Sequence, residues 1–293
     1  MRTSFKGLML VGVVFAFAFL NSVSHNNKIR TTANYPEQQF GTASLASSGS
    51  LNSTAPYKLG SAIAGGVYSL TGTKVHSWSD EKRWPIASLT KLMTALVSED
   101  TMFPNKRVII KDEYVKFAED AAGTIYAGEE FTVSDLQKAL LLVSSNVSAE
   151  ALAGEYGRAA FIARMNGYAE KIGMENTHFA DPSGLSIRNQ STAEDLAKLV
   201  AFIYANKPGI FAVTRQVTAG IYDWKLGATR SIANINKFAG GADFIGGKTG
   251  TTPESVGNLI SVFRVGEYFG RIIIVLGSEE RFEETENLIQ KWH

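Results

Sequence analysis

Apolar and polar positions divide this 293-residue chain into stretches of different period. Residues 7–20 form an apolar run without a charge or a proline, and residues 25–56 are small and polar, a composition that cannot bury a core. Residues 62–70 and 74–78, joined by Thr71-Gly72-Thr73, read as a β-hairpin. The period then lengthens. Leu89, Leu92, Met93, Leu96 and Val97 recur at helical spacing, and residues 136–143 and 149–156 read as two further helices. Thr132 with Asp135 and Ser191 with Glu194 give capping signals, a hydroxyl answered by an acid three residues on, at two later helix starts. Strand-like pattern returns at 244–251, 258–265 and 271–276, with Gly266-Glu267-Tyr268 turning the last pair, before an amphipathic helix over 279–292. Strands at both ends and helices between predict an α+β fold: one antiparallel sheet of about five strands, formed by both ends of the domain, with a helical insertion packed on it.

Composition narrows the class. With 45% apolar and 11% aromatic residues the chain has the make-up of a packed globular protein. The 29 basic residues against 28 acidic, with no basic cluster interleaved with aromatics, argue against a nucleic-acid partner. The absence of cysteine removes disulfides, thiolate nucleophiles and cysteine-ligated zinc. The four histidines, His25, His76, His178 and His293, form no His-Glu-x-x-His and none stands in a nucleophile setting, so neither a metal site nor a Ser-His-Asp triad is expected, and no cofactor is implied.

Arg2 and Lys6 ahead of the apolar run mark an export signal. The run is short for a membrane span of about 20 residues, and Ser22-Val23-Ser24 offers a small-x-small cleavage site. The uncharged stretch continues to Asn27, so residues 1–24 read as a signal peptide or an uncleaved N-terminal anchor, the only membrane contact expected. Residues 25–56 then form a flexible linker and 57–293 one catalytic domain on the outer side of a cell membrane.

Candidate chemistry lies in three short sets that follow one another: Ser88-Leu89-Thr90-Lys91, Ser144-Ser145-Asn146 and Lys248-Thr249-Gly250. Ser88 and Lys91 are three apart at the start of a predicted helix, on neighbouring positions of one face. A serine hydroxyl becomes a nucleophile when a base takes its proton, and a lysine serves as that base only with its pKa lowered. Burial beside Ile86, Leu89 and Leu92, the positive helix end and a second cation at Lys248 would each disfavour the charged form of Lys91. Ser79-Asp80-Glu81-Lys82 also matches Ser-x-x-Lys, but two acids beside Lys82 would hold it protonated in a polar turn. Ser144 and Asn146 fall between two predicted helices, where side chains can face a cleft; alone they read as a helix-cap pair. Lys248-Thr249-Gly250 lies on a strand whose Gly246, Gly247 and Gly250 leave room for a ligand's backbone; alone it reads as a glycine-rich edge strand. Order and local structure together make the three read as one active site.

These sets resemble the signature of penicillin-binding proteins and class A β-lactamases. More closely, the chain resembles the serine D-alanyl-D-alanine carboxypeptidases of the S11 peptidase family. Residues 85–97 are similar to that family's nucleophile helix throughout. Residues 127–129, 133–136, 173–179, 181–185, 191–196 and 234–236 are similar to further family segments. The resemblance covers nearly all of 57–293 and implies a β-lactamase/DD-peptidase-like fold. It implies acyl transfer on the D-Ala-D-Ala end of peptidoglycan stem peptides, with β-lactam antibiotics as covalent inhibitors. Ser88 would attack, Lys91 would act as base, Ser144 and Asn146 would relay a proton and orient the substrate, and Lys248 and Thr249 of the Lys-Thr-Gly250 set would hold its terminal carboxylate. Backbone N–H groups of Ser88 and Thr251 would form the oxyanion hole. The chain departs from the family at Thr251, where an aromatic or histidine is common, and at Val147, where an acid is usual; neither removes a catalytic group. Three alternatives stand beside the carboxypeptidase: a DD-endopeptidase, a class A-like β-lactamase, for which no Glu-x-x-Leu-Asn segment is present, and a non-catalytic sensor of penicillin or wall peptide.

Overall fold

A five-stranded antiparallel sheet joins the two ends of the domain, in the order Lys74–Trp78, Ala64–Ser69, Phe269–Leu276, Val256–Val265, Phe244–Thr252. The computed structural model describes residues 61–118, 124–266 and 269–292. The expectations for residues 1–24 and 25–56, the domain start at Tyr57 and the turn at Glu267-Tyr268 lie outside the described residues. No helix of the described residues is long and apolar enough to cross a membrane.

The N-terminal hairpin enters the sheet by pairing with the last strand, Val67 opposite Ile273, and that strand pairs on its other side with Val256–Val265, Ile260 opposite Ile274. Side chains alternate between faces. Tyr68, Ile260, Val262, Ile272 and Ile274 join the main core with the helices, whereas Val67, Phe263, Ile273 and Val275 pack with Leu288 of the C-terminal helix, Arg281–Lys291. The continuous apolar run at 272–276 follows from cover on both faces.

The helical region is centred on Lys91–Thr101, whose first eight residues are all buried, among Val133–Leu142, Asn146–Tyr156 and Arg158–Ile172. Thr132 caps its helix as its sequence predicts, accepting from Asp135 N at 3.1 Å. The second cap lies one residue later than expected: Thr192, not Ser191, accepts from the backbone of Asp195, not Glu194, at 3.1 Å. Ser191 is held in the two-residue pairing of Gln190–Ser191 with Trp84–Pro85, so the chain turns helical only after Thr192. The last helix begins at Arg281 rather than 279 because the Ser278 hydroxyl first takes the backbone N–H of Glu280.

Candidate active site

Ser88 lies not in the α-helix its spacing predicts but in a one-turn 3-10 helix, Ala87–Thr90, that precedes it. Side chains three apart eclipse one another in that geometry. Lys91 opens the α-helix wholly buried, and its Nζ lies 2.9 Å from Ser88 Oγ, 2.7 Å from Asn146 Oδ1 and 2.6 Å from the Ser183 carbonyl. Two of these acceptors are fixed carbonyl oxygens. An uncharged amine has two hydrogens to give them, and its lone pair is then left facing the Ser88 hydroxyl.

Ser144 and Asn146 are displayed by the turn between two helices. Ser144 takes a left-handed conformation, φ 60°, after Val133–Leu142 ends. The cap of the next helix is Ser145, which accepts from Ser148 N at 3.1 Å. The capping role therefore falls on the middle residue, and its neighbours are left for other contacts: Asn146 Oδ1 receives Lys91, and Ser144 Oγ receives Lys248 Nζ at 3.0 Å.

Lys248, Thr249, Gly250 and Thr251 lie on Phe244–Thr252, the edge strand of the sheet. Lys248 is 1% exposed and also donates to the Thr249 carbonyl at 3.0 Å. Burial first, then the charges of Lys91 and Arg281, push its pKa well below the ordinary lysine value. Thr249 is buried and Thr251 exposed. Gly250 passes the nucleophile turn so closely that a Cβ there would meet Ile86 O at 2.9 Å and Ser88 N at 3.2 Å. All eight residues singled out by the sequence thus lie on three stretches of chain that come together beside Ser88. The other Ser-x-x-Lys match forms no helix; Asp80 pairs with Lys74 at 2.6 Å, and Lys82 lies over Trp84.

Arg281, Asp181, Ser183 and Asn189 were not legible as site residues. Arg281, at the start of the C-terminal helix, lies close enough to Lys248 for its charge to disfavour the ammonium, and burial lowers its own pKa. Nothing in local sequence signals that approach, which depends on the sheet carrying the two residues together. Ser183 contributes a backbone oxygen, invisible to any side-chain motif, and only its segment 181–185 carried a family likeness.

A serine and a buried lysine one turn apart, set against a Lys-Thr-Gly edge strand on an α+β fold, are the build of the penicillin-recognising serine peptidases. The Peptidase_S11 family, described as D-alanyl-D-alanine carboxypeptidase, matches residues 62–279, and the chain belongs to it. The chain is 36% identical over 133 residues to a D-alanyl-D-alanine endopeptidase of Pseudomonas aeruginosa, covering 44% of this chain and 43% of that one. It is 35% identical over 202 residues to a D-alanyl-D-alanine endopeptidase of Haemophilus influenzae, 67% of this chain and 68% of that one. It is 31% identical over 231 residues to the D-alanyl-D-alanine carboxypeptidase DacC of Escherichia coli, 72% of this chain and 55% of that one. Among solved structures, the Streptomyces K15 DD-transpeptidase superposes with a TM-score of 0.71 at 27% identity, covering 79% of this chain and 96% of that one. A D-alanyl-D-alanine carboxypeptidase from Mycobacterium tuberculosis gives 0.71 at 27%, covering 78% and 87%.

Proposed function

We propose that this chain is an exported serine-type D-Ala-D-Ala carboxypeptidase that trims peptidoglycan stem peptides through an acyl-enzyme on Ser88. The observation that carries the reading is the Lys91 amine, buried and held between Ser88 Oγ, Asn146 Oδ1 and the Ser183 carbonyl. The peptide's terminal carboxylate docks at Lys248 and Thr249, with the Arg281 guanidinium adding a positive group beside them. The scissile bond then lies along the edge strand, as an added strand would.

Lys91 takes the Ser88 proton, and Ser88 Oγ attacks the carbonyl carbon of the penultimate D-Ala. The developing oxyanion is held by the N–H groups of Ser88 and Thr251, a contribution of about 3–4 kcal/mol for each donor. The proton passes by way of Ser144 to the departing nitrogen, D-Ala leaves, and water, deprotonated by the same amine, releases the shortened peptide. A β-lactam follows the first half of this path and acylates the same serine.

A DD-endopeptidase reading has one specific support, the endopeptidase names of the relatives from P. aeruginosa and H. influenzae. One set of assays with the purified chain separates the possibilities. Release of D-Ala from a stem pentapeptide, lost together with fluorescent-penicillin labelling in Ser88→Ala, is the expected result. Conversion of a crosslinked dimer to monomers without D-Ala release would replace it with the endopeptidase. Labelling with neither activity would indicate a sensor, and rapid turnover of the label a β-lactamase.

A further inference from the structure

We infer that Asp181 and Asn189 are positioning residues for acylation, acting through the Ser183 carbonyl on the Lys91 amine; this rests on the acyl-transfer reading of Ser88 and Lys91. Asp181 is 6% exposed; no lysine or arginine reaches ion-pair distance of it among the described residues, and Arg158, whose guanidinium is bound by Glu150, acts on it through charge alone. Its Oδ1 accepts from Ser183 N at 2.8 Å, Ser183 Oγ at 3.0 Å and Gly184 N at 2.6 Å, and its Oδ2 from Ser186 N at 2.6 Å. Asn189, wholly buried, accepts from Ala180 N at 2.7 Å and Asp181 N at 3.1 Å, and donates to the Asp181 carbonyl and to Thr90 Oγ1, both at 3.0 Å. Its own carbonyl receives Ile86 N at 3.0 Å. Asn189 therefore ties the loop to the nucleophile turn on both sides of Ser88, and Asp181 fixes the loop from within. Thr94 Oγ1 adds a bond to the Pro182 carbonyl at 2.6 Å.

The output of this network is the direction of one carbonyl. A neutral Lys91 amine gives its two hydrogens to Asn146 Oδ1 and Ser183 O and turns its lone pair to Ser88. With Ser183 O displaced, the amine is free to donate a hydrogen to Ser88 Oγ instead of accepting one, and the base is idle. Burying a carboxylate costs free energy, and the donors gathered around it are spent on aiming that oxygen.

The test uses the full chain with fluorescent penicillin, separating the acylation rate constant from the dissociation constant of the preceding complex, with thermal unfolding measured alongside. Asp181→Ala is expected to slow acylation about 10²-fold, as a misplacement of about 1 Å does, with the dissociation constant unchanged. Asp181→Asn, whose side-chain oxygen can keep the contacts of Oδ1 while its amide nitrogen turns a donor on Ser186 N, is expected to recover part of the rate, and Asn189→Ala to slow acylation less than Asp181→Ala. A purely structural role would lower the melting temperature and leave the rate constant of the folded protein unmoved. Wild-type acylation in Asp181→Ala overturns the inference, and so does slower acylation matched by a weaker preceding complex, which would place the loss in ligand binding rather than in the Lys91 amine. If Asp181→Ala does not fold, Asn189→Ala decides: slower acylation at unchanged affinity supports the role, and a wild-type rate overturns it. A wild-type chain that takes no label sinks the acyl-transfer reading and this role with it; a labelled wild type with unaffected variants sinks this role alone.

Discussion

Gly250→Ala is the substitution whose effect follows most directly from the geometry. The added Cβ would stand 2.9 Å from Ile86 O, 3.2 Å from Ser88 N and 3.3 Å from Leu89 N. All three are backbone atoms, so no flexible side chain can swing away. Ordinary contact begins at 3.4 Å, so the strand and the nucleophile turn must part by about half an ångström. A misplacement of about 1 Å costs about 10²-fold in rate, so half of that predicts acylation slowed about tenfold, or ~1.4 kcal/mol of barrier. Overpacking should also cost about 1–3 kcal/mol of stability. The assay is the second-order rate of fluorescent-penicillin labelling together with the melting temperature. Gly167→Ala is the control, since a Cβ at that helical position meets nothing within 4 Å. Gly250→Ala labelling within about twofold of wild type at unchanged stability would mean that the close approach does not set the geometry of attack.

Arg281→Leu should weaken binding of carboxylate-bearing substrates about 10–100-fold, the worth of a charge-assisted hydrogen bond of about 1.5–3 kcal/mol, and change turnover much less; a kcat effect with KM unchanged would remove Arg281 from the carboxylate site. Arg230→Ala breaks a pair in which the guanidinium contacts Glu129 at 2.6 Å and the Thr124 carbonyl, both side chains being under 10% exposed. Leaving Glu129 buried without its cation should cost about 3–5 kcal/mol in denaturant unfolding, and a loss below about 1 kcal/mol would show that water reaches the carboxylate.

The sheet was legible because its signals are local: alternating or continuous apolar runs at both ends, and a Thr-Gly-Thr turn between the first two strands. Its closure, with the first hairpin against the last strand, followed from needing partners for strands at both ends. The reactive trio was legible as types and order. What the sequence withheld is conformation and long-range approach. The 3-10 turn at Ser88 depends on a left-handed Ala87, φ 48°, packed against Gly184, φ 89°, and no propensity announces it. The cap at Ser145 separates Ser144 from Asn146 only once the turn is built. The second helix cap shifted by one residue because the short pairing of Ser191 outweighed its capping pattern.

Lys248 carries the last consequence. A lysine that is 1% exposed, beside a second amine and a guanidinium, gives up its proton more readily than one in water, and burial is the largest cause. A substrate carboxylate arriving at Nζ supplies the missing opposite charge and raises the pKa again. Between the pKa of the free site and that of the complex, binding must then draw a proton from solution, and affinity must fall as pH rises through that window. Ser88→Ala titrated calorimetrically with a β-lactam, in buffers of different ionisation enthalpy at a series of pH values below 10.5, should show proton uptake, and the same titration of Ser88→Ala with Lys248→Met should show none. The free protein should follow the same sign: the unfolded chain keeps this proton up to about the ordinary lysine value of 10.5 while the folded chain releases it earlier, so stability rises with pH between the two values, and Lys248→Met should flatten that rise. Heats identical across all buffers would show that Lys248 holds its proton in the empty site, and the charge that meets the carboxylate would then be present before the ligand arrives.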